Sequence, residues 1–92
     1  MTRIAVVHEP GRFVARVDGE EAFVAYAVAG NVMDVQHTYT PPALRGRAVA
    51  ARLTEAVVAH AQAEGLRIRP TCSYTRAWLA RHPELQALVV GD

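Results

Sequence analysis

The hydrophobic pattern of the chain changes its period within one stretch, Thr38-Tyr39-Thr40-Pro41-Pro42-Ala43-Leu44-Arg45-Gly46-Arg47-Ala48-Val49-Ala50. Before this stretch, apolar and polar residues alternate along short segments, which is typical of strands that bury one face. After it, apolar residues recur every third or fourth position, which is typical of an amphipathic helix. The two prolines end the strand because proline has no backbone N–H to donate to a neighbouring strand. The stretch therefore predicts a strand, a short loop and a helix start, in that order.

Upstream of this junction, turn residues such as Asp18-Gly19 separate short alternating segments. These segments predict four strands, Ile4–His8, Phe13–Val17, Ala22–Val28 and Val32–Thr40. Their even spacing favours an antiparallel meander. Strict alternation in the fourth strand places one set of side chains on a single face, namely Met33, Val35, His37 and Tyr39. We therefore expect His37 to be partly buried beside the apolar members of that set.

Downstream, a helix is predicted from about Gly46 to Glu64, ended by Gly65. One helical face carries Val49, Leu53, Ala56, Val57 and His60. Thr54 and Val58 fall on the opposite side, which we expect to be exposed.

After this helix, Leu66–Thr71 reads as a fifth strand, which a strand–helix–strand unit makes parallel to the fourth. A second helix is predicted from Ser73 or Tyr74 to about His82-Pro83, with His82 as an end cap. Leu85–Val90 is a short apolar tail, either helix or strand. The order of elements predicts an α/β fold with a mixed sheet, and we expect one domain over residues 1–92.

Composition narrows the classes of function. The chain has 10 basic and 9 acidic residues, so no strong field favours binding to nucleic acid. Its single cysteine, Cys72, excludes an internal disulfide and a multi-cysteine zinc site. The four histidines are scattered, and we expect no metal site. No apolar run approaches the roughly 18–20 residues that span a bilayer, and the first apolar stretch is too short for a signal peptide. We expect a protein of the cytoplasm without a membrane partner.

The helix start has the properties of a phosphate cradle. The first turn of a helix leaves backbone N–H groups without partners and carries a partial positive charge. Small residues at Gly46, Ala48 and Ala50 allow an anion to approach, and Arg45 and Arg47 add positive charge. The alternative is an ordinary helix start with two solvated arginines, and the spacing alone leaves both open.

The segment Arg45–Ala50 resembles the pyrophosphate-binding loop of the GNAT superfamily of N-acetyltransferases. That pattern is Arg or Gln, two residues, Gly, one residue, then Gly or Ala; Ala48 departs from it, because glycine is usual there. Further similarity lies in His37-Thr38, in Pro70-x-Cys72-Ser73-Tyr74 and in Arg81-His82-Pro83-Glu84. Together these segments resemble the minimal GNAT-like acetyltransferases, whose whole chain is about as long as this one.

The resemblance implies a GNAT-like mixed sheet that binds acetyl-CoA. It implies that the CoA pyrophosphate is held by the backbone N–H groups of Arg45, Gly46, Arg47, Ala48, Val49 and Ala50. It implies that the strand end at His37, Thr38 and Tyr39 pairs with the pantetheine arm and the acetyl carbonyl. Cys72 would then lie near the thioester.

Three residues are candidates for catalysis. Cys72 is buried filler, an unreactive part of the acetyl pocket, or a nucleophile that takes the acetyl group. His37 is either a hydrogen-bonded histidine with a structural role or the general base for an incoming amine. Tyr74 either packs or protonates the departing CoA thiolate.

The predicted function is therefore acetyl transfer from acetyl-CoA to an amine by direct attack. One alternative is a ping-pong route through acetyl-Cys72, and another is a non-catalytic acyl-CoA sensor or interaction module. The sequence leaves open which amine is the acceptor and whether the protein is a monomer or a homodimer.

Overall fold

The computed structural model describes residues 4–90. Its strands are β1 (Val6–Glu9), β2 (Arg12–Val17), β3 (Glu20–Ala29), β4 (Val32–Tyr39) and β5 (Arg67–Pro70). Its helices are α1 (Val49–Glu64) and α2 (Ser73–Ala80), with short 3-10 helices at Pro42–Leu44 and Pro83–Leu88. The strands lie side by side in chain order as one five-stranded sheet. The predicted α/β architecture with a mixed sheet is confirmed.

The pairing of the strands follows from the turns between them. β1 to β4 pair antiparallel, and β4 pairs parallel to β5 through the crossover of α1. At Asp18-Gly19 both residues have positive φ (51° and 78°), as the tight hairpin turn between β2 and β3 requires. The predicted meander and the predicted parallel pair are both confirmed.

The core lies between one face of the sheet and the two helices. It holds inward-facing side chains from every strand except the first, together with Val49, Leu53 and Val57 of α1 and Leu79 of α2. Thr54 and Val58 are also buried, at 1% and 6% exposure, although the sequence predicted them to face solvent. Because α1 contacts α2 as well as the sheet, more than one stripe of the helix is covered. The Thr54 hydroxyl is satisfied there by donating to Ala50 O at 2.9 Å.

The start of α1 differs from the prediction. The helix begins at Val49 rather than about Gly46, because Gly46 (φ 78°) and Ala48 (φ 62°) adopt the left-handed conformation, which interrupts a right-handed helix. Residues 45–48 therefore form a turn that leads into the helix.

The end of the chain also differs in detail. α2 stops at Ala80, slightly before the predicted boundary. His82 caps this end as predicted, since its Nδ1 donates to Trp78 O at 2.7 Å. The apolar tail forms a 3-10 helix and then a single parallel bridge between Val89 and Ile68.

A β-bulge divides β4. Ala25 of β3 pairs with His37, whereas Tyr26 pairs with Val35, so Gln36 is an extra residue without a partner on β3. An extra residue inverts the alternation of side chains beyond it. Thr38, opposite the core residue Val24, consequently faces the helices. The prediction that His37 and Tyr39 share a face with Met33 and Val35 is therefore wrong, and both are exposed on the opposite face.

We call this opposite face of the sheet, away from α1 and α2, the outer face. Arg12 and Arg16 of β2 each form ion pairs with Glu9 of β1 and Glu21 of β3, at distances of 2.9 to 3.4 Å. Between the two arginines, Val14 is fully buried, although it is not part of the core beneath the helices. The alkyl stems of long charged side chains can cover apolar surface in this way.

Candidate active site

A groove opens where β4 ends and where both helices begin. Its volume is about 490 Å³. It is lined by Thr38, Tyr39, Thr40, Leu44, Arg45, Gly46, Ala48, Val49, Ala50, Ala51 and Tyr74. Loop, strand and helix residues meet here because Pro41-Pro42 ends β4 and the 3-10 turn after it redirects the chain towards α1. The sequence stretch in which the hydrophobic period changes is thus the wall of the groove.

The floor of the groove offers backbone donors. The first main-chain hydrogen bond into α1 from its cap runs from Arg52 N to Ala48 O at 3.1 Å. The N–H groups of Val49, Ala50 and Ala51 precede that bond, so they have no carbonyl of the helix to bind. Ala48 at the N-cap supplies no side-chain cap, and the first turn holds no acidic residue. These donors and the partial positive charge of the helix end are therefore available to an anion in the groove.

The two arginines of the loop have different surroundings. Arg45 lines the groove, and its Nε donates to Thr40 O at 3.2 Å, which fixes the side chain beside the end of β4. Arg47 turns away towards the β2–β3 hairpin, where its Nη1 lies 3.0 Å from Asp18 Oδ2. The groove thus receives the side-chain charge of Arg45, while the side chain of Arg47 is engaged elsewhere.

Cys72 lies behind the groove, as the N-cap residue of α2. It is 9% exposed, and its Sγ donates to Thr38 Oγ1 at 3.4 Å, so a lining residue separates the thiol from the groove. Burial raises the pKa of the Cys72 thiol, but hydrogen bonds that Thr38 and the first turn of α2 can donate to the thiolate outweigh it and hold the pKa below its usual range.

Thr75 lies in this first turn, and both its backbone N–H and its hydroxyl lower the pKa of the Cys72 thiol. Its hydroxyl is buried and makes no hydrogen bond to any group within residues 4–90.

Tyr74 projects into the groove from the first turn of α2. Its side chain is 38% exposed and belongs to the lining. Burial raises the pKa of the Tyr74 phenol, and the attraction of the Arg81 charge offsets only part of this effect. The phenol therefore keeps its proton at neutral pH and can donate it to a basic group.

The structure brings most of the predicted site residues together. Those lining the groove are Thr38, Tyr39, Arg45, Gly46, Ala48, Val49, Ala50 and Tyr74. Cys72 lies one residue behind the lining, and His37 lies on the outer face next to Tyr39. Sequence reasoning missed the lining residues Thr40, Leu44 and Ala51, as well as Thr75.

The described residues hold neither a metal-binding cluster nor a membrane-spanning helix. Within residues 4–90, no three His, Cys, Asp or Glu side chains are grouped so that they could hold a metal ion. In the same range, no helix has the length and apolar character needed to cross a bilayer.

Comparisons with known proteins agree with this fold. The model of a family described as GCN5-related N-acetyl-transferase matches residues 12–88. Protein NATD1 from Danio rerio is 34% identical, the match covering 95% of this chain and 84% of that protein. Protein NATD1 from Homo sapiens is 33% identical, covering 92% of this chain and 80% of that protein. The NMR solution structure of a GCN5-like protein from Staphylococcus aureus superposes with a TM-score of 0.74 at 25% identity, covering 100% of this chain and 93% of that one.

Proposed function

The chain belongs to the GCN5-related N-acetyltransferase family, and from this premise we propose that it transfers an acetyl group from acetyl-CoA to an amine by direct attack. Family membership supports acetyltransferase activity in general. The observation that carries the finer proposal is the groove, which joins unpartnered N–H groups of α1, the Arg45 side chain and the Tyr74 phenol.

The residues of the groove suit the pyrophosphate and the pantetheine arm of acetyl-CoA. The N–H groups at the start of α1 would hold the pyrophosphate, with Arg45 adding a charge-assisted contact. Gly46 leaves open space around the loop, since a Cβ there would meet no atom within 4 Å. Thr38 to Thr40, at the end of β4, would bind the pantetheine arm, because β4 has no β5 partner beyond Val35. Acetyl-CoA supplies the activated acyl group, and the protein supplies its orientation.

The chemistry needs a base, an oxyanion donor and an acid. The amine nitrogen attacks the acetyl carbonyl, so a C–N bond forms and the C–S bond of the thioester breaks. A backbone N–H near the bulge of β4 would stabilise the oxyanion. His37, exposed beside this strand end, would accept the proton of the amine, and Tyr74 would return a proton to the CoA thiolate. We place this reaction in the cytoplasm, in one domain that works as a monomer or a homodimer.

The ping-pong route through acetyl-Cys72 remains a second candidate for the mechanism. Its support is the lowered pKa of the Cys72 thiol, which the polar groups of Thr38, Tyr74 and Thr75 around the sulfur cause. Direct attack is favoured because Thr38 separates the thiol from the groove and only 9% of Cys72 is exposed. We expect Cys72→Ala to keep most of the transfer activity, whereas the covalent route requires that the activity be lost.

Calorimetric titration with acetyl-CoA tests the cofactor site. Arg45→Glu should abolish measurable binding, because it reverses the charge beside the phosphates. Arg67→Glu is the matched control, since it makes the same change in net charge at the far end of β5, where Arg67 bonds Val89 O on the surface. Equal loss in both variants would show that the effect is one of overall charge and would contradict the assignment of the groove.

Mass spectrometry after denaturation separates the two mechanisms. The chain has no lysine, so an acetyl group retained after incubation with acetyl-CoA would lie on Cys72 or on the N-terminus. Sensitivity of that group to hydroxylamine would assign it to the thioester of Cys72 and contradict direct attack. Binding of acetyl-CoA without turnover on any amine would instead indicate an acyl-CoA sensor.

A further inference from the structure

Three aromatic rings lie together on the outer face, beside the end of β4. Phe23 of β3 is the central member, with its ring centroid 5.9 Å from that of His37 and 5.8 Å from that of Tyr39. We call these three residues the outer aromatic cluster. His37 is exposed and Tyr39 is 41% exposed, so their rings are open to a ligand. The cluster exists because the bulge at Gln36 turns His37 and Tyr39 onto the face of Phe23.

The cluster is continuous with the groove. Tyr39 belongs to both, since it lines the groove and also contacts Phe23. Thr38, the residue between His37 and Tyr39, points to the helix side, where the cofactor would lie. β5 ends its pairing with β4 at Pro70 opposite Val35, so no strand closes that side of β4 beyond the bulge. A nucleophile on the outer face can therefore approach the end of β4 without displacing a cofactor from the groove.

The charges around the cluster disfavour a polycation. Two carboxylates of the outer face, Glu9 and Glu21, are each paired with both Arg12 and Arg16. The guanidinium of Arg12 also lies 5.5 Å from the centroid of the Phe23 ring, so one face of that ring already carries a cation. The surface next to the groove thus offers aromatic contact and compensated charge, which suit an apolar group better than a second ammonium.

We infer that the acceptor is an amine carried on an aromatic or apolar group, which packs against the outer aromatic cluster while its nitrogen reaches the acetyl carbon. This inference rests on the proposed transferase function and specifies its substrate class. Phe23 and Tyr39 hold the apolar group, and His37 lies within the same cluster to receive the proton. The C–N bond formed and the C–S bond broken are those of the proposed transfer.

Acceptor kinetics test the substrate class. The release of CoA is measured with 2-phenylethylamine, n-propylamine and spermidine at saturating acetyl-CoA. We expect kcat/KM for 2-phenylethylamine to exceed that for each of the other two amines by about tenfold, as packing of one ring provides. Phe23→Leu, which keeps an apolar side chain, should reduce this preference, and Phe23→Ala should reduce it further. Both effects should appear mainly in KM. Val28→Ala is the control, since Val28 is an exposed apolar residue of β3 outside the cluster.

A preference for spermidine, or an aromatic preference that survives in both Phe23 variants, would overturn the inference. A second readout does not depend on turnover. Titration of 2-phenylethylamine into the CoA complex should shift the NMR signals of the Phe23, His37 and Tyr39 rings, and unchanged ring signals would also overturn it. If no amine is acetylated although acetyl-CoA binds, the proposed function fails, and the ring shifts decide separately whether the cluster binds aromatic amines.

Discussion

Ala48 is an alanine in a conformation that favours glycine. Its φ of 62° and ψ of 19° are left-handed, and it is the N-cap of α1 in the wall of the groove. The left-handed conformation costs a residue with a Cβ roughly 1–2 kcal/mol. Ala48→Gly removes this cost, whereas the greater freedom of glycine in the unfolded chain costs about 0.4–1 kcal/mol. We therefore expect a net stabilisation of about 0.5–1 kcal/mol.

Thermal unfolding followed by circular dichroism measures this difference. For a domain of this size, 1 kcal/mol corresponds to roughly 4–8 °C in Tm, so Ala48→Gly should raise Tm by about 2–8 °C. Ala50→Gly is the matched control, because the same change two residues later lies inside α1, where glycine costs about 1 kcal/mol relative to alanine. The two substitutions should move Tm in opposite directions.

A fall in Tm for both variants would refute the reasoning, because it would mean that the loop does not strain Ala48. Binding of acetyl-CoA gives an independent check on the same residue. Glycine lets a phosphate approach the backbone more closely than alanine does. Ala48→Gly should therefore bind acetyl-CoA at least as tightly as the original chain.

Two further predictions concern protons. Tyr74→Phe should lower kcat by about 10²-fold with little change in the KM for acetyl-CoA, because it removes the proposed acid and keeps the ring. An unchanged kcat would exclude this role. Since the pKa of the Tyr74 phenol is raised, the wild-type enzyme should not lose this acid until the pH exceeds 10. The hydrogen bond from Arg12 lowers the pKa of Glu9 below its usual 4.5, so its contribution to stability is present above that pH and is lost as the pH falls through the lowered value. The Tm of Glu9→Gln should therefore lie further below wild type at pH 6 than at pH 3, and a constant difference would contradict the ion pair.

The order of the elements could be predicted from the sequence because local signals mark it. Asp18-Gly19 and Pro41-Pro42 fix turns through their backbone preferences, and the change of hydrophobic period separates the strands from α1. The position of the groove could be predicted for the same reason, since it lies where the period changes.

The finer geometry of the site could not be predicted, because it depends on contacts between distant residues. Gln36 is neither glycine nor proline, so nothing local marks the bulge, which is fixed by the register against β3. Propensity alone favours a helix at Ala48, so the sequence predicts a start of α1 that is too early. The burial of Thr54 and Val58 depends on tertiary packing around α1, which exists only in the folded chain.

The bulge in β4 has a consequence for how the site can change. Upstream of Gln36, the side chains at odd-numbered positions of the strand face the core, whereas downstream it is the even-numbered Thr38 that faces the helix side. Positions 37 and 39 are thereby released from packing beneath the helices, although each lies one residue away from the cofactor groove. A library randomised at position 39, with His37 kept to accept the proton, can explore new acceptors with small losses of stability, whereas the same diversity at position 38 would disturb the cofactor side and Cys72 together.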